Sequence, residues 1–527
     1  MPRTFDLDDG SLVLIIGSGA GGGTLGNELA QKGVRTLILE AGPRIERAEH
    51  IDDERQSFAQ LAWLDKRATS GSWWVAKNSP NFPAWICKVV GGTTVHWGGG
   101  CLRFEEHEFR TKDEYGDIPG ASLLNWPLTL AELEPYYDKA EDKMGVSGTH
   151  GIPLHDADNN QIVMAAGAKK VGYRGCSTGN MAINSRPRDG RPATIQDGFC
   201  FQGIRSNAKW STLNSEIPKG EATGSLEARS GCHVLKIEHD ASGKVTGVVY
   251  ADKGGNHHRQ RGRLVCVAGN SIETPRILLN SVSSKYPDGL ANSSGQVGKN
   301  YMRHMSGNVW GVFERPVRMH RGNTMAGCIK DERYHNPKRE FVGGYFMQTE
   351  HLGPSFLAAN LARSIDLKGW GPDFTRIMEA YEYIAGMWLV GEDMPQKTNC
   401  VTLHPTEKDQ FGIPIPNVHF DDHANDIAMR NHAYKRGAMV YDAVGATRII
   451  RVPPGPSTHN LGTCRQSARP EDGVCNRWGQ THDIKNLFIS DGSQFTTASA
   501  ANPTLTIVAL AIRQADYIAD QMTKQNI

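Results

Sequence analysis

The stretch LVLIIGSGAGGG, from Leu12 to Gly23, determines how the chain folds at its N-terminus. Leu12 to Ile16 is an uninterrupted apolar run, which is typical of a parallel strand buried on both faces. Gly17, Gly19 and Gly22 follow at the spacing G-x-G-x-x-G. Glycine at such positions lets the backbone turn sharply and approach other groups closely. The stretch therefore predicts a buried strand, a tight turn and the start of a helix.

The residues after this stretch complete a βαβ unit. We expect the helix to run from Thr24 to Lys32 and a second strand to run from Thr36 to Leu39, ending at Glu40. In this context the glycines form a dinucleotide-binding fingerprint, with the pyrophosphate at the helix N-terminus and Glu40 accepting hydrogen bonds from an unphosphorylated ribose. The alternative is a glycine-rich turn beside an ordinary surface glutamate. The fingerprint alone does not distinguish FAD from NAD.

Composition sets limits on the class of protein. The 527 residues include 58 Lys and Arg against 57 Asp and Glu, a formal net charge of +1, which argues against nucleic-acid binding through bulk charge. The length suits roughly three domains. We see neither a signal peptide nor the roughly 18 apolar residues that span a bilayer. We expect a cytoplasmic protein without a transmembrane segment, and periplasmic export with a signal-bearing partner stays open.

The rest of the chain predicts a mixture of helices and short strands. A hairpin is expected at Val234 to Ile237 and Val245 to Tyr250. An antiparallel sheet with helices is expected at about 307 to 450, with short strands at 308–313, 341–347 and 399–403. The other predicted elements are a helix at 124–144, a strand at 264–268, a helix at 272–279, a strand at 487–490 and a helix at 503–522.

Four further segments carry a family resemblance. They are GGTTVHW from Gly91, GNSIETPRILLNS from Gly269, HNLGTCRQS from His459 and LFISDGSQFTTASAANPTLTIVALA from Leu487. In order and spacing they resemble the glucose-methanol-choline (GMC) flavoprotein oxidoreductases over nearly the whole chain. The sequence is most similar to the branch of gluconate, glucose and glycoside dehydrogenase large subunits and pyranose oxidases.

The resemblance implies an α/β protein, α+β overall, with two interleaved domains. The first is a Rossmann-like FAD-binding domain, and the second is a substrate-binding domain built on an antiparallel sheet plus helices. We assign 1–48, 82–122, 222–306 and 458–527 to the FAD-binding domain. The substrate-binding domain then comprises 49–81, 123–221 and 307–457.

The resemblance also assigns a catalytic pair. His459 aligns with the family's general base, which removes the hydroxyl proton as hydride leaves the carbon, a role that suits histidine near neutral pH. Asn502 aligns with its partner. Asn502 followed by Pro503 also reads as the N-cap and first residue of the C-terminal helix, and the two readings are compatible.

The remaining cofactor contacts are carried over in the same way. His96 aligns with a histidine that is covalently linked to the flavin in pyranose oxidases, so FAD is expected beside it, with or without a covalent bond. The other residues expected to hold FAD, besides those of the fingerprint, are Gly91, Gly92, Thr93, Thr94, Val234, Asp491, Gly492, Pro503 and Thr504. No metal site is expected.

One departure from the family concerns iron. Related dehydrogenase subunits carry a segment resembling CxxGCxxGAKxST, whereas this chain has Cys200 but Ile204 where a further ligand would stand. None of the ten cysteines forms a CxxC pair. Since thiolates hold iron–sulfur clusters, we expect none, and electrons must leave the flavin directly. A second departure, Gln466 and Ser467 in HNLGTCRQS, predicts different packing on the flavin side.

The expected reaction is oxidation of a secondary hydroxyl, at C3 or C2 of a pyranose or glycoside, to a ketone, with hydride transfer to flavin N5. The expected acceptor is a quinone or cytochrome rather than oxygen, with a small subunit as a possible partner. The alternatives are an oxidase that releases H2O2, a dehydrogenase of a non-sugar alcohol, and a flavin-binding protein without catalysis. A nicotinamide-only enzyme would leave the C-terminal segments unexplained. Candidate substrate contacts are the tryptophans from Trp63 to Trp85, Glu392 and Asn399, and 184–192 has no assigned role.

Overall fold

The computed structural model describes residues 5–61, 68–72, 84–456 and 458–527. Three of the tryptophans singled out above, Trp63, Trp73 and Trp74, lie outside these residues.

Seventeen strands form four sheets within the described residues. The strands are β1 Val13–Ile16, β2 Thr36–Glu40, β3 Ala68–Ser70, β4 Ser177–Thr178, β5 Leu226–Ser230, β6 His233–His239, β7 Val245–Ala251, β8 His257–Arg261, β9 Leu264–Val267, β10 Met305–Val312, β11 Gly327–Ile329, β12 Tyr345–Thr349, β13 Ile384–Gly391, β14 Cys400–Lys408, β15 Pro414–His419, β16 Arg448–Val452 and β17 Leu487–Ile489.

The α-helices of the described residues connect these strands and cover the sheets. They are α1 Ala20–Gln31, α2 Glu54–Leu61, α3 Thr111–Tyr115, α4 Leu130–Met144, α5 Asn159–Lys170, α6 Ile217–Glu221, α7 Asn270–Asn280, α8 Pro354–Leu361, α9 Pro372–Glu379, α10 Ala424–Asp442 and α11 Thr504–Thr523.

The first sheet is parallel and has the strand order β17-β9-β1-β2-β5. Val13 of β1 pairs with Thr36 on one side and Leu264 on the other. Every residue of β1, β2, β9 and β17 is buried, as the continuous apolar runs predict for strands with both faces covered. Helix α1 packs against α11 on one face of this sheet, which confirms the Rossmann-like fold expected from the sequence.

The second large sheet has the order β16-β10-β13-β12-β11-β4 and is antiparallel. All eight residues of β10 are buried, and the long helix α10 packs on this strand. The expected hairpin is present as the antiparallel pair β6 and β7, extended by β8. The fold class expected from the sequence is therefore confirmed. The exact domain boundaries stay a prediction.

Three predicted boundaries are wrong. Helix α1, expected from Thr24, begins at Ala20. The helix expected from Leu124 begins at Leu130 instead, because Thr129 and Glu132 form a capping box that starts it. Pro127, shortly before, favours an extended residue at its N-terminal side. The strand expected at 341–347 is β12, which begins later, at Tyr345.

No helix in the described part of the chain is both long and apolar enough to cross a lipid bilayer.

The packing of α1 on the parallel sheet yields a prediction about Gly21. A Cβ there would overlap the carbonyl oxygen of Ser490, just after β17, whereas a Cβ at Gly19 would meet nothing within 4 Å. We expect Gly21→Ala to lower the free energy of unfolding of the apoprotein by roughly 1–3 kcal/mol or more, as overpacking does. Gly19→Ala is the matched control and should unfold like wild type. Equal melting temperatures for the two variants would contradict this account.

Candidate active site

A large cavity opens at the carboxyl ends of the parallel strands, where ligands bind in open α/β sheets. Most residues predicted from the sequence line it. They are Gly17, Gly19, Glu40, Gly92, Thr93, Thr94, His96, Val234, His459, Asp491, Gly492, Asn502, Pro503 and Thr504. Gly22 and Gly91 do not line the cavity. They lie in the backbone turns beside it, where Gly22 packs against Gly17 and Gly91 has a positive φ.

The glycine fingerprint has the geometry that its sequence predicts. Gly17 has a φ of +99° and makes the turn after β1. Gly19 stands at the N-cap of α1, and the space beside it is open to a ligand. A Cβ at Gly22 would overlap the carbonyl oxygen of Gly17, so this glycine allows close packing. The helix N-terminus and the open backbone at Gly19 suit a pyrophosphate.

Glu40 is buried at the end of β2 and is held by backbone groups. One carboxylate oxygen accepts hydrogen bonds from the Ser18 amide at 3.0 Å and hydroxyl at 2.7 Å, and the other accepts from the Gly42 amide at 2.9 Å. Burial raises the pKa of this carboxyl. Since a carboxylate has about four acceptor sites, Glu40 can still accept from a ribose hydroxyl in the cavity.

The segment from Gly91 to Thr94 packs against this turn. Gly91 and Gly92 have φ values of +96° and +52°, and a Cβ at Gly92 would lie 2.9 Å from the Cα of Gly19. The Thr94 hydroxyl donates to the Gly91 carbonyl at 2.5 Å and accepts from the Thr212 amide at 3.2 Å. Sequence reasoning missed Thr212, which joins the two glycine turns.

Asp491 organises the cavity wall after β17. One of its oxygens accepts from the Asn270 amide at 2.9 Å and the Thr274 hydroxyl at 2.5 Å. The other accepts from the Ser493 amide at 2.8 Å and hydroxyl at 2.5 Å. Asp491 thus ties the start of α7 to the turn at Gly492. These walls, the open space at Gly19 and the acceptor at Glu40 together fit a dinucleotide such as FAD.

His96 is buried in the cavity wall with a defined tautomer. Its Nδ1 lies 2.8 Å from the carbonyl oxygen of Phe201. Because a carbonyl only accepts, Nδ1 carries a proton, and in the neutral ring the lone pair is then on Nε2. The ring centroid of Trp85 lies 6.1 Å away.

Hydrogen bonds that link the Ser499 carbonyl, His304 and His459 determine which ring nitrogen of His459 carries the proton. The Nε2 of buried His304 lies 2.8 Å from the carbonyl oxygen of Ser499, so His304 donates there. Burial lowers the pKa of His304 to about 4, so this ring is neutral and its Nδ1 is an acceptor. His459 Nδ1 lies 3.0 Å from it and must donate. The lone pair of His459 is therefore on Nε2, which can accept a proton.

The surroundings of His459 keep it neutral. Its ring packs against Trp388 of β13 at 5.2 Å and against His304 at 4.9 Å between centroids. Burial and the neighbouring His304 place the pKa of His459 well below that of an ordinary histidine. Sequence reasoning missed His304, because the segment before β10 has no pattern that separates it from any other buried histidine.

Asn502 does not cap the C-terminal helix, so that prediction is wrong. Helix α11 begins at Thr504, Pro503 occupies the N-cap position, and no side chain caps it. The Asn502 Nδ2 instead donates to the Gln348 carboxamide oxygen on β12, at 3.2 Å. Asn502 is buried against the antiparallel sheet, and its side chain therefore bonds to Gln348 instead of capping the helix.

The other candidates have structural roles. The Glu392 carboxylate accepts from the Tyr115 hydroxyl and the Gly344 amide, and burial with nearby Glu108 raises the pKa of Glu392 to about 8. Asn399 exchanges two hydrogen bonds with the backbone of Asp421. Neither Glu392 nor Asn399 lines the cavity.

Two sequence motifs also form local structure. In 184–192, the Asn184 amide donates to the carbonyls of Arg188, Arg191 and Pro192 and closes a turn. Cys200 and Ile204 are both fully buried in one apolar group with Met181.

Lys209 follows this apolar group and is a buried cation beside the cavity wall. Its ammonium donates to the carbonyls of Trp97, at 2.6 Å, and Cys200. Burial lowers the pKa of Lys209 to about 8.

The parallel sheet, with a cavity at its carboxyl edge and an open helix N-terminus at Gly19, is typical of a dinucleotide-binding fold. Sequence comparison gives the family. The profile of the GMC oxidoreductases matches residues 14–306, and a second GMC oxidoreductase profile matches residues 395–511. The chain belongs to the GMC oxidoreductase family, whose members are FAD-binding flavoproteins.

Two relatives match over nearly their whole length. The chain is 35% identical to 2-methyl-1,2-propanediol dehydrogenase of Mycolicibacterium austroafricanum, covering 96% of this chain and 95% of the relative. It is 28% identical to the fructose dehydrogenase large subunit of Gluconobacter japonicus, and the match covers 97% of this chain and 98% of the relative. Among solved structures, formate oxidase of Aspergillus oryzae superposes with a TM-score of 0.66 at 16% identity, covering 98% of this chain and 99% of that one. This last likeness concerns the fold alone.

The hydrogen bond between His459 and His304 yields a prediction about variants of His304. His304→Leu removes the acceptor for His459 Nδ1, so we expect flavin reduction by substrate to slow by about tenfold or more, part of what a positioned base contributes. His304→Asn retains an acceptor oxygen and should recover part of the rate. Both variants should keep the wild-type flavin spectrum.

The pH profile is the second readout of this prediction. His459 remains in its neutral, basic form at any pH above its lowered pKa. The wild-type rate of flavin reduction by substrate should therefore be constant through neutral pH. It should fall only below about pH 6.5, the pKa of an ordinary histidine. A wild-type rate that already falls between pH 8 and pH 7 would contradict the assignment.

Proposed function

We propose that this protein oxidises an alcohol carbon with FAD as hydride acceptor and His459 as the base. The observation that carries the proposal is the fixed tautomer of His459, which lines the cavity and has its lone pair on Nε2. A histidine that only stabilised the fold would not need a second buried histidine to set its proton. This base argues against a flavin-binding protein without catalysis.

The proposed reaction removes one proton and one hydride from the alcohol. The substrate hydroxyl gives its proton to His459 Nε2, and a carbonyl replaces the C–OH as the C–H bond breaks. FAD, when bound, supplies the acceptor for the departing hydride and its two electrons. Loss of the hydroxyl proton makes the carbon a better hydride donor, which is why a positioned base accelerates the step.

The proposed substrate is the secondary hydroxyl of a pyranose or glycoside, at C3 or C2. The fructose dehydrogenase relative supports a sugar substrate. A small non-sugar diol is the second candidate, which the 35% identity to a propanediol dehydrogenase favours. We propose a quinone or cytochrome as electron acceptor, because both relatives are dehydrogenases by name. The relative named as a large subunit supports a small-subunit partner, and the oxidase that releases H2O2 is the alternative.

We further propose that no iron–sulfur cluster relays the electrons, since apolar side chains surround Cys200 and Ile204. Metal analysis of the purified protein tests this statement. Iron in stoichiometric amount would overturn it.

The tautomer of His96 supports a covalent bond to FAD, because Nε2 carries the lone pair that such a bond requires. We expect purified protein to show flavin absorption bands. After acid precipitation the wild-type pellet should stay yellow, and that of His96→Ala should be colourless. A colourless wild-type pellet with free FAD in the supernatant would show that the flavin is held without a covalent bond.

Anaerobic mixing with a panel of sugars, glycosides and small diols tests the proposed reaction. At least one should bleach the flavin absorbance. His459→Ala should slow that bleaching by roughly 10²-fold or more, the usual contribution of a general base, with the oxidised flavin spectrum unchanged. Near-normal rates in His459→Ala would contradict the role of His459.

The same reduced protein, mixed with oxygen or with a quinone, tests the proposed acceptor. We expect the quinone to reoxidise the flavin much faster than air-saturated buffer does. Peroxide formation as fast as quinone reduction would identify an oxidase.

A further inference from the structure

Met325 lines the cavity and is held there by its backbone. It lies just before β11 and has a φ of +64°, in the left-handed region that residues with a Cβ rarely adopt. Its amide donates to the carbonyl of Thr349 at 2.7 Å, and its carbonyl accepts from Gln348 Nε2 at 3.2 Å. Because Gln348 and Thr349 belong to β12, the antiparallel sheet fixes where the Met325 side chain starts.

A glycine segment places this side chain on the same part of the cavity wall as Asn502. A Cβ at Gly98 would lie 2.7 Å from Met325 Sδ, and a Cβ at Gly100 would lie 2.9 Å from Asn502 Oδ1. Gly98 and Gly100 are separated by one residue, so their Cα atoms are at most roughly 7 Å apart. Both glycines line the cavity, as Met325 and Asn502 do. The Met325 thioether therefore lies close to the Asn502 end of the cavity.

Apolar side chains surround the thioether on its protein side. Met325 is buried in the apolar group that includes Met181, and Phe201 and Trp388 pack against this group. Trp388 also packs on His459, at 5.2 Å between ring centroids. Because protein interiors are closely packed, the thioether has little room to move away from the cavity. The cavity is the open side.

We propose that Met325 sets the upper limit on the size of the alcohol that this site oxidises. Its side chain takes up space beside Asn502, and the packing behind it keeps the wall from moving back for a larger ligand. The inference rests on the proposed function and narrows its substrate class. Of the two classes proposed above, a compact diol fits this limit better than a pyranose ring does.

Two substitutions change this wall in opposite directions. Met325→Gly removes the thioether and keeps the backbone conformation, because glycine adopts a positive φ without steric cost. Gly98→Ala adds a Cβ that would lie 2.7 Å from Sδ, so the flexible thioether must shift towards the open side, into the cavity. Met181→Ala is the matched control, since Met181 belongs to the same apolar group and does not line the cavity.

Alcohols that cannot react measure the size limit without chemistry. 2-Methylpropan-2-ol and 1-methylcyclohexan-1-ol have no hydrogen on the hydroxyl-bearing carbon, so their Kd values can be obtained from changes in the flavin spectrum of the FAD-loaded protein. In wild type we expect the larger alcohol to bind no more tightly than the smaller one.

The variants should change the ratio of these two Kd values. Met325→Gly should favour the larger alcohol by about fivefold or more, because each methylene that becomes buried strengthens binding by roughly fourfold. Gly98→Ala should change the ratio in the opposite direction, and Met181→Ala should leave it as in wild type. An unchanged ratio in Met325→Gly, or a change in the same direction in Met325→Gly and Gly98→Ala, would overturn the proposal.

A kinetic comparison separates this inference from the function on which it rests. For propane-1,2-diol and cyclohexane-1,2-diol, we expect kcat/KM to favour the small diol in wild type. Met325→Gly should shift that ratio by about fivefold or more towards the ring diol. Equal efficiencies for the two diols in wild type would refute the size limit and leave the proposed reaction standing. If no alcohol reduces the flavin, the proposed reaction fails, and the ratio of Kd values still decides the size limit.

Discussion

The buried carbonyl of Ser499 is the constraint on which the site depends. Because it can only accept a hydrogen bond, it fixes the proton of His304, and His304 in turn fixes the proton of His459. The result is a neutral histidine with its lone pair on Nε2. Burial reinforces the arrangement by disfavouring the charged form of both rings.

The two sheets contribute to the site in different ways. The parallel sheet places backbone groups around the cavity through Gly17, Gly19 and the turn at Asp491, which suits a large anionic cofactor. The antiparallel sheet contributes side chains: Trp388 packs on His459, and Gln348 orients Asn502.

The parts of this site that the sequence predicted share a physical feature. They depend on residues close together in the sequence: the fingerprint glycines, Glu40 and the strands β1 and β2. Backbone turns and strands buried on both faces produce glycine spacings and apolar runs that the sequence shows directly. His304, Gln348 and Thr212 act through contacts across more than a hundred residues, which no local pattern records. Asn502 shows the limit most clearly: its neighbour Pro503 suggests a helix cap, yet its partner is Gln348, 154 positions away. The late start of α4 was readable in Thr129 and Glu132, and the capping box was the missed signal.

The tautomer of His459 can be measured directly by nitrogen NMR of the FAD-loaded protein labelled with ¹⁵N-histidine, with His459→Gln and His304→Leu providing the assignments. The account predicts a neutral His459 protonated on Nδ1, coupled to a neutral His304 protonated on Nε2, at neutral pH. A His459 that is protonated on Nε2, or that carries a positive charge at neutral pH, would contradict it.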